Sequence, residues 1–211
     1  MKIVLIVSFS NTEVRENLAF KKDSKFLHKL LKVFRLPDRV LNFWDSAPWA
    51  NNIISFFEKK EDVELHVISP HIRLKDSIEE FSLRGVKYYF YSTEVTSFLR
   101  ILNCYPVWKR LQRSGHYVSK IVNGIKPDLV LLSGSEDAAS SVSILSVNDC
   151  PSICLCQTVY NNPEREKYNK PNRLIQGMEM DIFSQLQYFG VYCGMHYKLL
   201  KQYRPDAAIF K

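Results

Sequence analysis

The sequence predicts an α/β domain whose doubly wound, mostly parallel sheet is flanked by helices. Two observations carry that expectation. Six short apolar runs of strand character alternate with segments of helical periodicity, the alternation that builds βα units. No Pro/Gly/Ser linker, internal repeat or low-complexity tract interrupts the 211 residues, enough chain for one domain with a real core.

Residues 2–8 form a β-branched apolar run and are expected as a central strand. In 49–60, "WANNIISFFEKK", Trp49, Ile53, Phe56 and Phe57 recur at the spacing of one helix face. "VELHVISP" (63–70) is the next strand, and "GVKYYFYS" (85–92) the third, opened by Gly85 as a turn residue. Residues 107–125 read as a helix, with Leu111, Val118, Ile121, Val122 and Ile125 on one side. A Pro-Asp break introduces a fourth strand at 128–133, followed by a helix expected over 137–147. "PSICLCQTVYNNPE" contains the fifth strand, 152–157, which runs out into a polar loop. A helix over 172–187, a sixth strand in "YFGVYC" and a last helix over 195–203 complete the pattern.

Several function classes are disfavoured at once. The longest apolar runs, "IVLIV" and "DLVLLSG", fall far short of the roughly 20 residues of a spanning helix. "MKIVLIVSFSN" lacks a small-residue cleavage site and is read as a strand, not a signal peptide, so a cytoplasmic location is expected. The cysteines, at 104, 150, 154, 156 and 193, are odd in number and irregular in spacing, unlike a disulfide framework. Three of them cluster on a strand with no nearby His, which favours buried thiols over zinc, and no metal is expected. With seven Gly there is no G-x-G-x-x-G, no Walker A sequence and no G-x-S-x-G elbow.

Candidate site residues gather where strands end, since open α/β sheets bind ligands at the carboxyl ends of their strands. Ser8, Phe9, Ser10 and Asn11 follow the first strand, Ser69 and His71 close the second, and Gln157 and Thr158 follow the fifth. In "SGSEDAASS", free N–H groups at a helix start could hold a phosphate or sugar hydroxyl. Ser135 and Asp137 could equally be caps. Glu136, beside the fifth strand if strands four and five are neighbours, could orient a hydroxyl or act as a base. His66, inside a strand, is read as a core or edge histidine. Trp44, in "NFWDSAPW", is a candidate to stack on a sugar ring, with core packing the alternative.

The net charge of +7 is concentrated in residues 20–39, which hold seven Lys/Arg against two Asp. As a helix, this segment places Phe26, Leu27, Leu30, Leu31 and Phe34 within an arc of about 140°. Lys22, Lys25, Lys29, Lys32 and Arg35 fall on the opposite side. Such segregation suits an anionic membrane interface, with Phe26, Leu30, Phe34, Lys25, Lys29 and Lys32 as the contacts. It equally suits a surface helix packed on its own domain. No RNA or DNA motif accompanies the charge, so no nucleic-acid partner is expected.

In order and spacing, "KIVLIVSFS", "WANNIISFFEKKEDVELHVISPH", "GVKYYFYS", "IVNGIKPDLVLLSGSEDAAS" and "PSICLCQTVYNNP" resemble the N-terminal half of a GT-B glycosyltransferase of the retaining family 4 type. The resemblance covers nearly the whole chain. It implies a single Rossmann-like, acceptor-binding domain over 1–211. The nucleotide-sugar donor would be a co-substrate held mainly by a second, C-terminal domain absent from this chain, and no cofactor is implied. The donor-site E-x7-E pattern occurs nowhere in the chain, so the domain alone is not expected to turn over. The partners implied are a nucleotide sugar and a glycan or lipid-linked acceptor, with peripheral contact at the inner membrane face.

Two departures from the family matter. "SFSNTEV" replaces a Gly-rich loop after the first strand. Gln157 stands where the family often places a His that reaches the donor sugar; Gln can donate and accept hydrogen bonds but cannot titrate. No catalytic residue is assigned, and Glu136 and Gln157 are the candidates. The competing expectation is a freestanding Rossmann-like binding module without catalysis.

Overall fold

A computed structural model of the chain describes residues 1–20, 47–71, 74–93, 107–168, 170 and 172–211. The segment expected as a basic amphipathic helix, with Phe26, Leu30, Phe34, Lys25, Lys29 and Lys32, lies outside the described residues, as does Trp44.

Eight strands form one sheet: β1 (Lys2–Ile6), β2 (Glu64–His71), β3 (Ile78–Leu83), β4 (Val86–Ser92), β5 (Leu129–Ser133), β6 (Ser152–Cys156), β7 (Tyr188–Val191) and β8 (Ala208–Phe210). Their order is β3-β4-β2-β1-β5-β6-β7-β8. All neighbours are parallel except β3 and β4. The expected fold class, a Rossmann-like, doubly wound and mostly parallel sheet, is therefore present. From β1, strands β2, β4 and β3 lie to one side and β5 to β8 to the other, so the order reverses between β1 and β5.

The central strands are apolar at consecutive positions because both faces are covered. Ile3, Leu5 and Val7 pack on one face with Val14, Ala50 and Ile54. Val4 and Ile6 face the other way, toward Val118, Val122, Ile144 and Ile182. The covering helices are α1 (Thr12–Glu16) and α2 (Pro48–Glu58) on the first face. On the second lie α3 (Val107–Ile125), a 3-10 helix (Ser141–Ser146), α5 (Arg173–Gln185) and α6 (Gly194–Tyr203); the short α4 (Pro163–Glu166) lies between β6 and α5.

Three sequence expectations are corrected. The sheet has two more strands than expected. Arg84 (φ 50°) and Gly85 (φ 81°) make the tight turn of a β3–β4 hairpin, since paired positive φ values match strand twist. Glu79 and Glu80 on β3 are the charged residues that a sheet edge tolerates. The helix expected over 137–147 is a series of turns followed by the 3-10 helix. Asp137 accepts from the Ala139 N–H, Ser141 Oγ donates to the Gly134 carbonyl and Ser143 Oγ to that of Ser140. Such local side-chain bonds compete with the α-helical ladder.

In α2, the buried face is Ala50 and Ile54, with Ile53 and Phe57 beside them, whereas Trp49 and Phe56 are exposed. The small Ala50 lets that side approach the sheet. The helix over α5 is stopped by Arg204, whose guanidinium donates to the carbonyls of Phe183, Ser184 and Leu186. These are C-terminal acceptors that the helix itself leaves unpaired.

Among the described residues, no helix is long and apolar enough to cross a membrane. Cys154 and Cys156 are buried free thiols whose sulfurs lie 3.7 Å apart on one face of β6.

Candidate functional site

Where the strand order of a doubly wound sheet reverses, the flanking loops diverge and leave a crevice at the carboxyl ends. Here that point lies between β1 and β5, so the loops at 7–11 and 134–140 border it, with the loop at 157–162 after β6 alongside.

The residues expected at this edge divide into two groups. One group turns inward. Phe9 is core, and its N–H and carbonyl are both bonded to the buried hydroxyl of Ser69, at 2.9 and 3.1 Å. Ser10 is buried and accepts from Arg15. Asn11 caps α1 by accepting from the Val14 N–H and donates to Asn51. His71 is buried, with its ring 5.2 Å from that of Phe20 and 6.0 Å from that of Phe90. Ser135 is fully buried and donates to Glu179 at 2.6 Å. These side chains build the floor of the loops.

Ser8, Glu136, Gln157 and Thr158 are only half-buried and remain at the edge. Gln157 Nε2 donates to Ser133 Oγ at 2.9 Å across the β5–β6 pair. This tie fixes the carboxamide and leaves its oxygen as an acceptor-only group. Thr158 Oγ1 accepts from Arg165 at 3.5 Å, while the same guanidinium lies 4.3 Å over the Tyr160 ring.

Glu136 has the most unusual environment. Gly134 precedes it at φ +86°, and a Cβ there would lie 2.8 Å from Glu136 Oε2, so only glycine lets the carboxylate fold back over the loop. Oε2 is buried and has no hydrogen-bond partner among the described residues. Burial pushes the Glu136 pKa above its ordinary value, and the charge of Glu179 adds to the rise. The backbone N–H groups of Glu136 and Ser135 work against it. A carboxyl group held protonated to higher pH is suited to proton transfer.

Sequence reasoning missed two residues. Glu179 is a fully buried carboxylate with four donors: Ser135 Oγ, the N–H groups of Tyr160 and Asn161, and Asn161 Nδ2. Its sequence signal was a carboxylate among Met178, Ile182 and Phe183 on the apolar side of a helix. Arg165, in "NPERE", is a cation beside Thr158 that could meet phosphate charge. An open groove of about 570 Å³ lies at the opposite edge, lined by Met1, Lys2, Glu64, Lys126 and Asp128 among others. It adjoins the amino ends of β1, β2 and β5, away from the switch point.

Comparison with solved structures recovers this fold. A crystal structure of UDP-N-acetylglucosamine 2-epimerase matches with a TM-score of 0.51 and 10% identity, over 100% of this chain and 47% of that one. The UDP-GlcNAc 2-epimerase of Methanocaldococcus jannaschii matches at a TM-score of 0.44 and 10% identity, over 96% of this chain and 42% of its own. No protein-family model and no curated protein sequence matches the chain. The chain thus spans less than half the length of these structural neighbours, and what it shares with the first is the fold, one half of a GT-B-like architecture.

Proposed function

We propose that the chain is one domain of a two-domain enzyme acting on nucleotide sugars, and that Glu136 is its proton-transfer group. The observation that carries this reading is the Glu136 carboxyl group at the switch-point crevice, buried on Oε2 and without a partner there. Burial raises its proton affinity. Gln157, tied to Ser133, would orient a sugar hydroxyl, and Arg165 would face the pyrophosphate. The donor nucleotide would be held mainly by the second domain.

In its finer form the reaction is glycosyl transfer. A glycan or lipid-linked acceptor would lie against Ser8, Gln157 and Thr158. As the acceptor oxygen bonds to the anomeric carbon and the nucleotide leaves, the hydroxyl proton would pass to ionised Glu136. Holding both reactants in this crevice would supply much of the rate gain. Contact between residues 20–39 and an anionic membrane would bring a lipid-linked acceptor within reach.

A second reading has one observation in its favour, the fold shared with an epimerase that acts on UDP-N-acetylglucosamine. There, Glu136 would take a proton from a sugar carbon or return one to it, and no acceptor would be needed. Incubation of the full-length enzyme with a panel of UDP-sugars in deuterated water separates the two. Transfer gives a new glycoside and free nucleotide only when a saccharide acceptor is present. Epimerisation gives an isomeric sugar carrying deuterium at the inverted carbon. If no UDP-sugar is changed with or without acceptors, and none binds, the nucleotide-sugar reading fails.

A further inference from the structure

Burying a carboxylate is costly unless its charge is met by hydrogen bonds or a counter-charge. Glu179 is fully buried on α5, between Met178 and the pair Ile182–Phe183 that packs into the core. Its four donors are shared evenly between its two oxygens. Oε1 accepts from Ser135 Oγ at 2.6 Å and from the Tyr160 N–H at 2.9 Å. Oε2 accepts from the Asn161 N–H at 2.7 Å and from Asn161 Nδ2 at 2.9 Å.

All four partners give hydrogen to the carboxylate, as suits an acceptor-only group. They come from two loops, one after β5 and one after β6, which also flank the Ser133–Gln157 hydrogen bond. A core residue chosen for packing would not need to reach both. The Asn161 carbonyl is braced in turn by the hydroxyl of Tyr203, at 2.5 Å, so the 157–162 loop is held to α5 and α6 together.

We propose that Glu179 is a positioning residue of the candidate site: its buried carboxylate fixes the two rim loops, which carry Glu136 and Gln157, to each other. This rests on the reading of Glu136 as the proton-transfer group. Burial raises the Glu136 pKa most, and the charges of Glu179 from α5 and Asp137 from its own loop add to the rise, against the backbone N–H groups of Glu136 and Ser135; the buried thiol of Cys154 on β6 feels both glutamates. Removing the Glu179 charge therefore removes one of the influences that hold the Glu136 proton, while burial, the larger one, remains.

The test uses the chain itself and needs no substrate. The Glu136 side-chain carboxyl is titrated by carbon-13 NMR, and amide hydrogen exchange is followed at Tyr160 and Asn161, in the wild type, Glu179→Gln and Ser135→Ala. In Glu179→Gln the Glu136 midpoint is expected to fall. Exchange at the two amides should quicken about tenfold or more, the consequence of losing a hydrogen bond to a charged acceptor. In Ser135→Ala the charge stays, so the Glu136 midpoint should remain at or above that of the wild type. A Glu136 midpoint unmoved in Glu179→Gln, or one that falls in Ser135→Ala, overturns the proposal. The Ser135→Ala arm keeps the question answerable if Glu179→Gln does not fold. Failure here leaves the UDP-sugar assay untouched, and failure of that assay leaves these titrations untouched, so the two readings fail separately.

Discussion

Gly115, in the middle of α3, offers a direct test of how the β5 loop is held. A Cβ at this position would lie 2.3 Å from Ser146 Oγ and 3.3 Å from Ser146 Cβ, on the 3-10 helix that follows the loop carrying Glu136. Two effects of Gly115→Ala oppose each other. Alanine gains about 1 kcal/mol of helix propensity over glycine. Overpacking a closed interface costs about 1–3 kcal/mol. The contact to Oγ is relieved only by turning Ser146, and the contact to Cβ remains tight even then, so the steric effect wins.

The expected result for Gly115→Ala is destabilisation by about 1 kcal/mol. Ser146→Ala removes the closer atom but leaves the Cβ contact, so the double variant should recover part of that loss. Urea unfolding of the wild type, both single variants and the double variant yields the coupling energy, expected at about 0.5–1 kcal/mol. Stabilisation by Gly115→Ala alone would refute the close approach of α3 to the 3-10 helix. So would additivity within about 0.5 kcal/mol.

Other perturbations test the site and its supports. Gly134→Ala forces a non-glycine residue to φ +86° and displaces the Glu136 carboxylate; a loss of about 1–2 kcal/mol in unfolding free energy is expected, with a changed Glu136 titration. Arg204→Ala removes the donors to three carbonyls at the end of α5 and should cost about 2–3 kcal/mol in the same assay. Its exposed pairing with Asp206 adds little to that. For Glu136 the folded-state pKa is raised from 4.5, so the folded chain binds this proton more tightly than the unfolded one. Its contribution to stability is complete below about pH 4.5 and is lost as pH rises through the folded midpoint. Glu136→Gln should therefore gain stability relative to the wild type across that window and hold the gain above it, in urea unfolding from pH 4 to 8.

The core of the fold was legible in the sequence because its strands are covered on both faces. Residues 2–6, 129–133 and 152–156 are apolar runs with no solvent side to disguise them. The two added strands lie at the sheet's edges, where pairing on one side demands less of the sequence. β3 carries two glutamates in mid-strand and β8 has three residues. The 3-10 helix was misread because its serines favour local bonds over the helical ladder, a competition that apolar periodicity does not register.

For the candidate site, Glu136 and Gln157 follow the carboxyl ends of β5 and β6, where the strand pattern of the sequence put them. That pattern could not say which way a loop side chain turns. Ser69 and Ser135 face inward because their partners, the Phe9 backbone and Glu179, come from elsewhere in the chain. Glu179 itself was hidden for the same reason: three of its donors lie 18–19 residues away and one lies 44 residues away. Only its place on the apolar side of α5 pointed to it.

The central claim is that Glu136 transfers a proton in a nucleotide-sugar reaction. Steady-state turnover of UDP-sugars by the full-length enzyme and its Glu136→Gln variant tests it most directly. Glutamine keeps the shape of the group and removes its acid–base chemistry, so kcat should fall by about 100-fold or more while binding of the UDP-sugar is largely kept. A variant that turns over at the wild-type rate would contradict the account.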